Sequence, residues 1–142
     1  DLALDPALVR GLLLGAWLEQ GGLVVVSGPA GSGKTTLAAA TVRSRLEKFG
    51  GRGVTVEHPP ELPLDGRWGE GGACRQLAVT YRPPHNEYTG FVGGIRKALR
   101  KLPSTPPAVL LVGEVRDAET AAGVIKLALN GVLVVTTVHG LD

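Results

Sequence analysis

An α/β fold built on a parallel sheet is what the sequence predicts, and three observations predict it. The short apolar runs Leu23–Ser27, Val54–Glu57, Ala108–Val112 and Val132–Thr137 have the length and β-branched content of strands buried on both faces. Between them lie longer stretches of helical period, among them Thr36–Phe49 and Ala118–Leu129. The first run leads through a glycine-rich loop straight into a helix, the setting in which phosphate-binding loops occur.

At 142 residues the chain is long enough for one core and is read as a single domain, 1–142. It contains no methionine, not even at position 1, so it is expected to be a processed product or a piece of a longer protein. A net charge of +2 is too small to argue for nucleic acid or an acidic membrane. The single Cys74 excludes an internal disulfide framework and fits a reducing compartment. No apolar run approaches the roughly 20 residues of a membrane span, and no signal peptide is visible. The 21 glycines and 10 prolines punctuate the apolar runs, so they read as turns and not as disorder.

Asp5 suits a helix N-cap and Pro6 the first helical position. Leu8, Leu12 and Trp17, with Val9, Leu13 and Ala16, form one apolar face running to Gln20, expected to pack on the sheet with Trp17 in the core. Gly21 and Gly22 stop this helix, and strand Leu23–Ser27 follows.

Gly28–Thr36 reads Gly-Pro-Ala-Gly-Ser-Gly-Lys-Thr-Thr and fits G-x-x-x-x-G-K-[ST]. Glycines let such a loop curl so that successive N–H groups point inward and hold phosphate oxygens, helped by the positive end of the helix that begins within it. Gly28, Pro29, Ala30, Gly31, Ser32, Gly33, Lys34, Thr35 and Thr36 are therefore the candidate nucleotide-binding residues. Lys34 is expected on the β- and γ-phosphates, and the Thr35 hydroxyl on Mg²⁺.

Gly50–Gly53 ends the helix and Val54–Glu57 is the next strand. His58–Gly72, rich in Pro and Gly, reads as a loop or lid leaving a strand end, where α/β sheets place ligands. Glu57, Glu61 and Asp65 are candidates to hold Mg²⁺ or orient water. The plainer alternative is solvated loop acids, preferred for Asp65 but not for Glu57 at its strand terminus. Leu77–Tyr81 reads as a short strand, Arg82–Asn86 as a turn and Thr89 as an N-cap. Phe91, Ile95, Leu99 and Leu102 then recur at helical spacing. Arg96, Lys97, Arg100 and Lys101 lie off that line and read as a solvated face near a helix C-terminus.

Strand Ala108–Val112 runs into Gly113-Glu114-Val115-Arg116-Asp117. A carboxylate just past a buried strand, in a sheet that already holds a triphosphate, is placed to orient attacking water, which points to Glu114. Asp117 reads as the N-cap of Ala118–Leu129. His139, at the end of the last strand, is a candidate hydrogen-bond donor to the γ-phosphate. The three histidines and Cys74 show no metal-ligand spacing, so no zinc site is indicated.

With these residues in place the chain resembles the secretion ATPase superfamily, the motors of type II and type IV secretion and of type IV pilus assembly and retraction. Gly28–Thr36 looks like the Walker A box. Thr55-Val56-Glu57-His58-Pro59-Pro60-Glu61 is similar to the family's aspartate box. Leu110–Asp117, with Gly113-Glu114, is similar to its atypical Walker B box, and Thr136-Thr137-Val138-His139 to its histidine box. His58 stands where the family usually has Asp, and Val132 where a His commonly follows Thr-Gly or Asn-Gly. Gly140-Leu141-Asp142 replaces the usual small residue and Asn.

The resemblance implies a RecA-like P-loop NTPase core with helices on both faces of the sheet, ATP and Mg²⁺ as ligands, and ATP hydrolysis. It implies catalytic roles for Glu114, Glu57 and His139, with Glu61 and Arg116 as accessories. It implies a homo-hexamer of the full-length protein, cytoplasmic and peripheral at the inner membrane, working on secretion or pilus platform proteins without direct nucleic-acid contact. The family's outside arginines come from an N-terminal domain and an adjacent subunit, so the core alone is expected to be a feeble ATPase. Two alternatives stay open: a non-hydrolysing nucleotide-binding regulatory module, and a P-loop small-molecule kinase.

Overall fold

The computed structural model describes residues 5–79 and 90–140. Arg82–Asn86 and Thr89 lie outside the described residues. Helix α1 is Pro6–Leu13, followed by a 3₁₀ turn at Ala16–Leu18. Strand β1 is Gly22–Gly28, helix α2 Lys34–Phe49, and β2 Gly51–Glu57. Strands β3 and β4 are Gly66–Trp68 and Gly72–Ala78. Helix α3, Gly90–Leu99, precedes β5, Ala108–Val112, and α4, Ala118–Leu129, precedes β6, Leu133–His139. The sheet order is β1-β6-β5-β2-β4-β3, with every pairing parallel except β3 against β4.

Alternation along the central strands splits the core in two. Val109 and Leu111 of β5 and Leu133 and Val135 of β6 face α2, where Ala38, Ala39, Val42 and Leu46 meet them with Cys74. Leu110, Val112, Val134, Val54 and Val56 point the other way, onto Phe91, Ile95 and Ala98 of α3 and Val124 of α4. Helices thus cover both faces, as a parallel sheet requires.

Local capping follows the sequence where the chemistry is local. The Asp5 side chain accepts from Ala7 N at 2.9 Å, with Pro6 at the first turn. Asp117 Oδ1 accepts from Thr120 N at 2.7 Å and starts α4. That bond and a second Thr120 hydrogen bond hold the Asp117 carboxyl below its ordinary pKa of 3.8.

Four expectations need correction. β1 is not buried on both faces: it is a sheet edge, the second apolar cluster stops at β6, and Leu23 and Val25 stay 39% and 48% exposed. The first helix ends at Leu13, not Gln20; α1 buries no residue, and Trp17 is 64% exposed, its indole N–H donating to Gly11 O at 3.2 Å. The strand expected at Leu77–Tyr81 is Gly72–Ala78, and the lid region His58–Gly72 contains β3. Leu99 is 42% exposed, and Ala98 takes the core position beside it.

What attaches α1 is polar. Arg45 of α2, buried, donates to the carbonyls of Leu13 and Gly15, both at 3.0 Å, and Lys48 donates to Leu14 O at 3.1 Å. The Arg45 guanidinium also lies over the Phe49 ring at 4.5 Å.

Candidate nucleotide site at the strand ends

Because β1, β6, β5 and β2 run parallel, their C-terminal ends share one edge. The register sets Gly28 beside His139, Val112 beside Thr136, and Val56 beside Val112. The next residue of each strand therefore opens onto one cleft of about 460 Å³. Ala30, Gly31, Gly33, Lys34, Thr35 and Thr36 line one wall; Glu57, His58, Pro59 and Glu61 another; Gly113, Glu114 and Arg116 the floor; Phe91, Thr137 and His139 complete it.

The loop wall is shaped by glycine. Gly31 and Gly33 have φ of +75° and +94°, a region L side chains rarely adopt, and α2 starts at once after Gly33. Gly28, Pro29 and Ser32 do not line the cleft. The Gly28 carbonyl accepts from Lys34 Nζ at 2.7 Å and Gly140 N at 3.0 Å. A Cβ at Gly28 would sit 2.7 Å from Ser32 Oγ. Lys34 Nζ is also 3.5 Å from both Pro29 O and His139 Nδ1, so the ammonium sits between the loop and the β6 end.

Thr136 and Thr137 act as straps. Their hydroxyls donate to Val112 O at 2.7 Å and Gly113 O at 2.6 Å, pinning the β5 exit to β6. Val115 N donates to Thr137 O at 3.0 Å and Gly113 N to Val56 O at 2.8 Å. A Cβ at Gly113 would reach Glu57 Cα at 3.4 Å, so the residue opposite Glu57 is held close by having no side chain. Glu114 leaves this fixed turn with its Oε2 taken by Arg116 Nε at 2.7 Å.

Glu57 is only 4% exposed. A buried carboxylate is tolerated when it is hydrogen-bonded, and Oε2 accepts from Thr55 Oγ1 at 2.7 Å and Gln76 Nε2 at 3.0 Å. Glu61 lines the cleft from the exposed loop; Asp65 does not, its Oδ1 accepting from Gln76 N at 2.9 Å. His58 Nδ1 lies 3.2 Å from Val79 O. His58, Thr55, Gln76 and Phe91 were not candidates on sequence. His58 follows Glu57 directly and so was the one within reach of a strand-end argument. Gln76 lies on a strand that the sequence misplaced.

Among the described residues no three His, Cys, Asp or Glu side chains gather into a metal cage. Mg²⁺ needs none, since it keeps several waters and is bound through one or two protein oxygens plus substrate phosphates. The Thr35 hydroxyl at the head of α2, with Glu57 and Glu114 on the same cleft, fits such an ion.

Parallel strands feeding one cleft, a phosphate-type loop and helices on both faces define a RecA-like P-loop core. The chain belongs to the type II/IV secretion system protein family, whose model matches residues 10–142. It is 36% identical over 138 residues to the type II secretion system protein E of Klebsiella pneumoniae, a match covering 97% of this chain and 24% of that protein. The solved ATPase DotB of Legionella pneumophila superposes with a TM-score of 0.75 at 31% identity, over 99% of this chain and 35% of that one. The pilus retraction motor PilT, solved with bound ADP, gives 0.75 at 28% identity, over 96% of this chain and 35% of that one. The chain thus spans a quarter to about a third of these relatives.

Proposed function

We propose that this chain is the ATP-binding and ATP-hydrolysing core of a motor that drives a type II or type IV secretion machine or a type IV pilus. The observation that carries the reading is the shared cleft, which joins Lys34 and Thr35 of the loop to the carboxylates of Glu57 and Glu114. It is supported by the family match and by the ADP found in the PilT structure.

In this reading the loop N–H groups and Lys34 take the phosphates. Thr35 holds Mg²⁺, which when bound neutralises charge on the β- and γ-oxygens. Glu114, on a turn fixed by the Thr137 strap and steadied by Arg116, orients water toward the γ-phosphate. Glu57 assists from the opposite wall. His139, 3.5 Å from the Lys34 ammonium, is placed to sense whether the γ-phosphate is present. Catalysis is by positioning and electrostatics, with no covalent intermediate.

Homo-hexamer formation, contact with inner-membrane platform proteins and a station at the cytoplasmic face belong to the longer protein and are part of the proposal. No helix among the described residues is long and apolar enough to cross a membrane. A second reading, a nucleotide-binding module that does not hydrolyse, draws on His58, which lines the cleft beside Glu57.

Glu114→Gln separates the two. On the motor reading it retains ATP binding and slows hydrolysis by about 10²-fold or more, the range for loss of a general base. Single-turnover phosphate release, with protein in excess of ATP, reads this even when turnover is slow. Release within threefold of the parent, or no release from the parent, removes hydrolysis at Glu114 from the account.

A further inference from the structure

A glutamine amide has four hydrogen-bonding positions, two N–H donors and two lone pairs on its oxygen. Gln76, on β4, uses all four. Nε2 donates to Glu57 Oε2 at 3.0 Å and to Leu62 O at 2.8 Å. Oε1 accepts from Leu64 N and Asp65 N, both at 2.9 Å. The flipped amide would set an oxygen against a carboxylate and a carbonyl, and an NH₂ against two N–H groups, so only this orientation fits. Its backbone joins in, with Gln76 N donating to Asp65 Oδ1 at 2.9 Å.

These bonds connect two things the cleft needs. One is Glu57, whose Oε2 is held by Gln76 and by Thr55 Oγ1 at 2.7 Å while the residue lines the cleft. The other is the segment between β2 and β3, which carries His58, Pro59 and Glu61 to the same cleft and is tied down at Leu62, Leu64 and Asp65. Fully satisfied polar networks of this kind hold one arrangement and tolerate few others.

We infer that Gln76 is a positioning residue for hydrolysis: one amide fixes the Glu57 carboxylate and latches the 58–65 segment, so the acid is correctly aimed only while the segment is down. This rests on the reading of Glu57 as a participant in hydrolysis. The mechanism is mechanical. If the segment lifts, Gln76 loses its anchors at Leu64 and Asp65, its amide swings, and Glu57 keeps only the Thr55 bond. Phosphate binding by Lys34 and the loop does not pass through this network.

The test combines Gln76→Ala, Gln76→Glu, Glu57→Gln and the double variant Glu57→Gln/Gln76→Ala. ATP affinity is read by calorimetry, single-turnover phosphate release from ATP·Mg²⁺ at pH 8.5, and hydrogen exchange at the Leu64 and Asp65 amides. Gln76→Ala is expected to bind ATP within about threefold of the parent, to slow hydrolysis tenfold or more, and to exchange both amides at least tenfold faster. Gln76→Glu keeps an acceptor for the two amides, so their protection stays within about threefold. It also sets a second carboxylate against Oε2, and hydrolysis falls tenfold or more. A purely structural role would not separate latch from rate in this way. The double variant is expected within about twofold of Glu57→Gln alone, since Gln76 acts through Glu57.

Hydrolysis by Gln76→Ala within threefold of the parent, while Glu57→Gln is slow, overturns the role of Gln76 and leaves Glu57 standing. A double variant slower by the product of the single effects does the same. Parental hydrolysis by Glu57→Gln instead removes the reading of Glu57, and this inference with it.

Discussion

Lys34→Ala is the perturbation whose size the structure sets most directly. In the free protein Lys34 Nζ donates to Gly28 O at 2.7 Å, and the ammonium must leave that carbonyl to serve phosphate. Hydrogen bonds to charged groups contribute roughly 1.5–3 kcal/mol each. Making two bonds to phosphate and breaking one to the carbonyl leaves a net of about one such bond, roughly 1.5–3 kcal/mol, or about 10- to 150-fold in affinity. Gly28 O is not orphaned by the substitution, because Gly140 N still donates to it at 3.0 Å. The folded state should therefore be intact, with a thermal midpoint close to the parent's. Calorimetric titration with ATP, with Mg²⁺ chelated and ionic strength held fixed, reads the loop contact alone. An affinity within threefold of the parent, with the fold intact by circular dichroism, would refute the assignment of Lys34 to the phosphates.

Three further outcomes can be measured without nucleotide. The Cys74 thiol is pushed up to about 12 from 9.0, first by burial and then by the charges of Asp65 and Glu57; it should resist a thiol reagent at pH 8 until the protein is unfolded. Because the folded value lies above the unfolded one, its contribution to stability is complete below about pH 9 and fades as pH climbs toward 12, so the urea midpoint should fall between pH 8 and pH 10.5. Gly72→Ala places a Cβ 2.5 Å from both Leu46 O and Trp68 O, which are backbone atoms unable to yield; a loss of about 1–3 kcal/mol is expected in urea unfolding, and parental stability would contradict it. Asp117→Ala removes the cap on Thr120 N and should cost about 1 kcal/mol at pH 7. Since the Asp117 pKa is lowered on folding, the gap between variant and parent should close as pH falls through the carboxylate range.

What could be read from the sequence was local or motif-bound. The loop spacing, the N-caps at Asp5 and Asp117, and the apolar runs that became β5 and β6 each carry their signal within a few residues. Errors came where a residue's surroundings are set by distant chain. The run at Leu23–Ser27 has the composition of a central strand, but composition does not say how many neighbours a strand has, and β1 has one. β4 escaped notice because its first half, Gly72–Arg75, lacks an apolar run and is held by pairing with Gly51–Val54. Glu57 was reachable from its place at a strand end. Its partner Gln76 was not, because a glutamine in a strand means nothing until the fold sets it 3.0 Å from that acid.

The attachment of α1 has a consequence for how that segment tolerates change. Arg45 and Lys48 grip it by the carbonyls of Leu13, Leu14 and Gly15. Every amino acid presents a carbonyl, so the grip is indifferent to which side chains α1 carries. Replacing Leu8 or Leu12 with polar residues should leave the segment docked, whereas replacing Arg45 releases it and strands a pocket built for a guanidinium. Selection on the arm is thereby displaced onto the helix that holds it: α1 is free to drift toward whatever surface it meets, and the record of its docking is written in α2.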